Sequence, residues 1–146
     1  MVEEGKEAPD FELESDSGER VSLSSYRGRP VVLYFYPKSD TPGCTTQACG
    51  IRDVYGELGQ RGAAVLGVSV DDRESQARFK EKYGLPFPVL ADPNREAGDA
   101  YGVVRADSDY YERSTFIIDA EGNVAKIMRR VDPKEHADQV LEALPG

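Results

Sequence analysis

The sequence is poor in the residues that hold metals or staple small folds, with two cysteines and one histidine among 146 residues. Two cysteines are too few for a structural disulfide framework, and a lone histidine supports neither a zinc nor a haem site. No apolar run exceeds a few residues, which excludes a membrane span. Positive charge is also short. Eighteen basic against 27 acidic residues give a formal charge of -9, which opposes nonspecific binding to nucleic acid or anionic lipid. Met1-Val2-Glu3-Glu4-Gly5-Lys6 has neither the basic segment nor the apolar stretch of a secretory signal, so the cytoplasm is the expected location. With 39% apolar and 31% charged residues, and no repeat or linker, residues 1–146 are expected to form one soluble globular domain.

What is present is an alternation of strand and helix patterns. Phe11-Glu12-Leu13 and Arg20-Val21-Ser22-Leu23 flank the turn Asp16-Ser17-Gly18-Glu19 and predict an N-terminal hairpin. Val31-Val32-Leu33-Tyr34-Phe35-Tyr36 is near-continuously apolar and suits a central strand covered on both faces. Ala48, Ile51, Val54, Tyr55 and Leu58 recur at helical spacing, so a helix is expected over roughly 45 to 60. A second buried strand follows at 64 to 70, then a helix capped by Asp71-Asp72 and closed by Gly84. Next come a short strand at Val89-Leu90-Ala91, a short helix carrying Ala97, Ala100 and Tyr101, and a polar loop over 103 to 112. A hairpin of 114 to 118 with 124 to 128 precedes a last helix holding His136, Ala137, Val140, Leu141 and Leu144, with Pro133 near its first turn. This order implies a mixed central sheet with helices on both faces, the layout of a thioredoxin-like α/β fold.

The chemistry concentrates in Tyr34-Phe35-Tyr36-Pro37-Lys38-Ser39-Asp40-Thr41-Pro42-Gly43-Cys44-Thr45-Thr46-Gln47-Ala48-Cys49. Cys44 falls at a helix start, where unpaired backbone N–H groups and the positive end of the helix dipole favour a thiolate. Pro37 ends the strand and walls one side of the turn, Pro42 restricts it, and Gly43 permits close approach. Thr41 is near enough for its hydroxyl to meet the sulfur or an atom bonded to it, or else it caps the helix. Cys49 lies five residues on, which fits neither a redox CxxC nor a zinc site. On a continuous helix the two positions differ by about 500° of rotation and about 7.5 Å of rise. A disulfide needs a Cα separation of about 4.4 to 6.8 Å, so bonding them requires the first turns to unwind. Either Cys49 reaches Cys44 in such a locally unfolded state, or it is a small buried residue that never reacts.

The segment Pro37 to Cys49 resembles the active-site segment of the Q-type peroxiredoxins, or bacterioferritin comigratory proteins. The broader pattern Pro-x-x-x-Thr-x-x-Cys is met by Pro37, Thr41 and Cys44. Ala8-Pro9-Asp10-Phe11, Gly67-Val68-Ser69, Phe87-Pro88-Val89-Leu90-Ala91-Asp92 and Arg113-Ser114-Thr115-Phe116-Ile117-Ile118-Asp119 extend the likeness over nearly the whole chain. The resemblance implies a cofactor-free thiol peroxidase in which Cys44 is peroxidatic and Cys49 resolving. Their intramolecular disulfide would be reduced by thioredoxin, and Arg113 would be the active-site arginine. It also implies a monomer, or at most a weak dimer. Gln47 stands where many relatives carry glutamate, which is expected to alter helix opening or local polarity.

On this reading Cys44 attacks a peroxide oxygen, from hydrogen peroxide or an organic hydroperoxide, and becomes a sulfenic acid. Arg113, Thr41 and the amides of Gly43 and Cys44 are the donors expected to hold the developing charge. His136 is expected to be a surface or helix-packing residue, and Asp40 and Asp53 solvated charges. Tyr36, Phe79 and Phe87 line an approach for alkyl groups or belong to the core. A thioredoxin-like disulfide exchanger and a noncatalytic redox sensor or chaperone are the rival classes. The Thr41/Cys44 spacing argues against the first, and rapid peroxide turnover separates an enzyme from the second.

Overall fold

The computed structural model describes residues 2–105, 108 and 110–144, so part of the loop expected over 103 to 112 lies outside the described residues. Seven strands form one mixed sheet: β1 (Glu12–Ser15), β2 (Arg20–Ser22), β3 (Val31–Phe35), β4 (Ala64–Ser69), β5 (Val89–Ala91), β6 (Ser114–Ile118) and β7 (Val124–Met128). Their spatial order is β2-β1-β5-β4-β3-β6-β7. Strands β3, β4 and β5 are mutually parallel, while β6 runs antiparallel to β3 and β7 to β6. The β1–β2 hairpin joins the sheet by antiparallel pairing of β1 with β5. This is the thioredoxin-like α/β layout with its N-terminal hairpin. No helix among the described residues is long and apolar enough to cross a membrane.

Strand β3 is buried along its whole length because both of its faces are covered. Val31, Leu33 and Phe35 enter one core with Leu66, Val68, Phe116 and the aromatic ring of Tyr101. Val32, Tyr34 and Tyr36 enter the other, with Ile51, Leu58, Phe79 and Val140. Side chains alternate across a strand, so the unbroken apolar run encodes two cores rather than one. Helices α1 (Pro42–Gln60), α2 (Arg73–Tyr83) and α4 (His136–Ala143) contribute to the second core, and α3 (Glu96–Tyr101) to the first. Tyr36, Phe79 and Phe87 are at most 1% exposed. They are therefore core residues and line no open approach.

Two polar clamps fix the loops at the carboxyl end of β3. Ser39 donates its backbone N–H to Asp71 at 2.7 Å, and the Ser69 hydroxyl donates to the same carboxylate at 2.6 Å. Buried Gln76 receives the Tyr36 hydroxyl at 2.5 Å and donates to the Leu90 carbonyl at 2.7 Å. Asp40, in the left-handed region at φ 59, accepts from Lys82 and from the Tyr83 hydroxyl. Those bonds hold its carboxyl below the usual range, so it is tied to α2 rather than simply solvated.

On the opposite side, the segment leading into β6 is anchored by Tyr111, which is fully buried and donates its hydroxyl to Asp92. Asp92 in turn accepts the N–H groups of Glu96 and Gly98 at 2.9 and 3.0 Å, at the start of α3. The Tyr111 ring lies where a side chain at Gly98 would begin. Gly98→Ala therefore forces a methyl into a packed aromatic ring. We expect it to lower unfolding free energy by about 1–3 kcal/mol in urea titrations, the usual cost of overpacking.

Candidate active site

Helix α1 begins at Pro42, three residues earlier than its apolar spacing predicts. Thr41 is the N-cap in backbone terms and Pro42 occupies the first helical position, where a missing N–H costs nothing. Cys44 therefore sits inside the first turn, with its side chain 1% exposed. The helix runs unbroken to Gln60, so Cys44 and Cys49 occupy different faces of a continuous helix. Both are free thiols, Cys44 buried and Cys49 only half-buried.

Arg113 reaches the sulfur from the residue just before β6. Ser114 pairs with Phe35, so the register of β3 with β6 puts Arg113 beside the turn that follows β3. Its own backbone carbonyl accepts the Val131 N–H at 3.0 Å, and the preceding Glu112 N–H donates to the Val103 carbonyl at 2.8 Å. Arg113 Nη1 lies 3.4 Å from Cys44 Sγ and donates to Gln47 Oε1 at 2.7 Å. Cys44 and Gln47 are one helical turn apart and so share a face, and a single guanidinium nitrogen can serve both.

Gly43 is what lets the guanidinium come so close. A Cβ at this position would lie 2.9 Å from Arg113 Nη2 and 3.7 Å from Pro133. Arg113 also lines an open groove of about 720 Å³ with Pro37, Val104, Glu112, Arg130 and Val131. One residue thus joins the buried sulfur to the surface. Among the described residues its charge is held by hydrogen bonds instead of a salt bridge to a carboxylate.

Residues 4–127 match the profile of the AhpC/TSA family. Peroxiredoxin Bcp of Bacillus subtilis (strain 168) is 44% identical over 149 residues, covering 98% of this chain and 95% of that protein. The chain belongs to the peroxiredoxin family. Among solved structures, peroxidoxin BcpB from Mycobacterium tuberculosis superposes with a TM-score of 0.91 at 34% identity, over 99% of this chain and 97% of that one. The bacterioferritin comigratory protein of Xanthomonas campestris, described for its alkyl peroxide reduction activity, gives a TM-score of 0.89 at 34% identity, with 97% of both chains covered. This peroxiredoxin is accordingly an enzyme of the thiol peroxidase type.

The peroxiredoxin brings Cys44, Gly43, Arg113 and, along the groove, Pro37 to one place. Thr41 departs from expectation. Its hydroxyl donates to the Lys38 carbonyl at 2.8 Å and makes no side-chain cap. With its proton committed there, Thr41 can accept a hydrogen bond but cannot donate one to a developing anion. Cys49 is held apart from Cys44 by the wound helix. Of the two places expected for His136, surface or helix packing, it takes the second and is fully buried. Its imidazole touches Gln47 and Thr115, and burial, with help from the Arg113 charge, pushes its pKa down to about 3.

Sequence reasoning gave Gln47 only a minor role, although its spacing of three from Cys44 is a usable signal. His136 carries no local signal, because it meets Gln47 across 89 residues of chain. One test concerns Gly43. In Gly43→Ala the methyl displaces the flexible guanidinium instead of the backbone. We expect peroxide reduction measured by stopped flow to slow at least ~10-fold, since one misplaced charge-stabilising donor costs this much or more. Stability should stay within about 1 kcal/mol of the parent, because alanine is the better helix former.

Proposed function

We propose that this peroxiredoxin reduces hydrogen peroxide and organic hydroperoxides through a Cys44 sulfenic acid, resolved by Cys49 as an intramolecular disulfide and recycled by thioredoxin or a similar dithiol protein. The observation that carries the proposal is the 3.4 Å contact between Arg113 Nη1 and Cys44 Sγ at the mouth of α1. Cation and helix terminus together favour negative charge at this point.

In the first step the Cys44 thiolate attacks the terminal peroxide oxygen in line with the O–O bond. An S–O bond forms as the O–O bond breaks, the sulfur is oxidised, and the leaving oxygen takes a proton and departs as water or alcohol. Arg113 has donors for the charge that spreads from sulfur onto both oxygens. Thr41, already donating to Lys38, offers lone pairs to the hydroperoxide O–H. Because the sulfur is only 1% exposed, a small O–OH end reaches it while the remainder of an organic peroxide stays in the groove beside Pro37 and Val131.

The second step needs a different conformation. The wound helix separates residues 44 and 49 by about 7.5 Å of rise, so the first turns of α1 must open before the Cys49 thiol attacks the sulfenic sulfur. That condensation forms the S–S bond and releases water. An external dithiol then reduces the disulfide by exchange through a mixed disulfide. Such recycling suits a reducing compartment, for which the cytoplasm is our proposal.

Turnover coupled to NADPH through thioredoxin and its reductase tests the assignment. Cys44→Ser should end peroxide consumption. Cys49→Ser should consume one equivalent of peroxide and then stop, and mass spectrometry of the peroxide-treated parent should find a 44–49 linkage. Sustained turnover by Cys44→Ser, or an oxidised parent lacking that linkage, would refute the scheme.

A further inference from the structure

His136 is the single histidine of the chain, it is fully buried, and the chemistry above makes no use of it. We propose that His136 is a positioning residue for the peroxidase reaction, acting through Gln47 to hold the Arg113 guanidinium on the Cys44 sulfur. This inference rests on the reading of Cys44 and Arg113 given under Proposed function.

The direction of every hydrogen bond in the chain can be assigned. A guanidinium only donates, so the Gln47 atom 2.7 Å from Arg113 Nη1 must be the carbonyl Oε1. The Gln47 amide nitrogen then faces His136 Nδ1 at 3.3 Å and can only donate to it. Nδ1 must accept and therefore carries no proton. In a neutral imidazole the proton then resides on Nε2, which donates to the Thr115 hydroxyl at 2.7 Å. Donation runs in one sense from Arg113 through Gln47 and His136 to Thr115.

Thr115 lies two positions beyond Arg113, and residues at this spacing point to the same face of a strand. The relay consequently leaves the β6 segment and returns to it, crossing α1 and the first residue of α4 on the way. Three elements are locked to one another by a fully buried path at His136, Gln47 and Thr115. Among the described residues, the groups facing the imidazole are the Tyr34 ring from β3 at 5.5 Å, Gln47 from α1, and Thr115 and Arg113 from the β6 side. None is an acid that would favour an imidazolium. A proton on Nδ1 would point at the Gln47 amide hydrogens, and the buried ring next to a guanidinium stays neutral.

What the relay supplies is orientation. An arginine side chain has many rotamers to lose, and Gln47 is a fixed acceptor for Arg113 only while its own amide cannot turn. His136 removes that freedom. When the first turns of α1 open, Gln47 leaves with them, so the relay also opposes opening. Removing the imidazole should therefore slow sulfenic acid formation while leaving disulfide formation as fast or faster. A purely structural defect would not divide the two steps in this way.

The test uses His136→Phe, which keeps a ring against Tyr34, and Gln47→Met, which keeps helix propensity and length, singly and together. Quenched-flow mass spectrometry follows sulfenic acid and disulfide separately. We expect each single variant to form sulfenic acid about 10-fold more slowly than the parent, with no further loss in the double variant, since both act on one relay. Nitrogen-detected NMR of the one imidazole reads the hydrogen-bond order without any activity. The reduced parent should show the neutral Nε2–H tautomer, and Gln47→Met should move the Nδ1 resonance. Sulfenic acid formation in His136→Phe within twofold of the parent, or additive losses in the double variant, would overturn the proposal. So would an Nδ1–H tautomer or an imidazolium in the parent, a result that stands even if His136→Phe does not fold. A parent inert to peroxide would overturn the peroxidase reading along with this one, whereas a reactive parent with unaltered variants overturns this one alone.

Discussion

A cation placed on a buried sulfur is the constraint around which this molecule is arranged. The guanidinium of Arg113 approaches Cys44 Sγ to 3.4 Å at the positive end of α1, although the chain as a whole carries a formal charge of -9. Local placement outweighs the total because the field at a site decays over about 10 Å in ordinary salt, while the contact is far shorter. Burial of the sulfur strengthens the interaction further, since water is excluded from that side of the contact.

Much of the surrounding fold serves to keep that contact fixed. The β3–β6 register brings the start of β6 alongside the end of β3. Asp71 and Ser69 clamp the loop that leads into α1, and Tyr111 with Asp92 clamps the segment that leads into Arg113. Gly43 leaves room for the guanidinium, and Gln47 gives it a second acceptor. A rigid arrangement of donors aimed at one atom needs no reorganisation when charge develops. The same rigidity keeps Cys49 away, so the fold that favours the first chemical step opposes the second until α1 opens.

The order of strands and helices was legible in the sequence because each element announces itself locally. The apolar run of β3, the helical spacing of Ala48, Ile51 and Leu58, and the Asp72 cap of α2, whose side chain accepts the Ser75 N–H at 2.8 Å, are all short-range signals. Cys44 was legible for the same reason, since the Pro-Gly-Cys step states a helix start. What the sequence left open is decided only in the folded chain. Thr41 turns its hydroxyl back to Lys38, a choice that nothing in the local pattern dictates. His136 reads as one polar position in an amphipathic helix until α4 packs on α1 and buries it beside Gln47. The role of Gly43 depended likewise on a side chain 70 positions away.

The most direct test of the account is the rate at which hydrogen peroxide oxidises Cys44 in Arg113→Gln, measured by single-turnover stopped flow against the parent. Glutamine keeps a polar, uncharged side chain at the same position, so the comparison isolates the cation. Loss of one preorganised charge-stabilising donor is worth about 10²-fold in rate, and the account predicts a fall of that size with the secondary structure unchanged. Oxidation of Cys44 in the variant within twofold of the parent would contradict it.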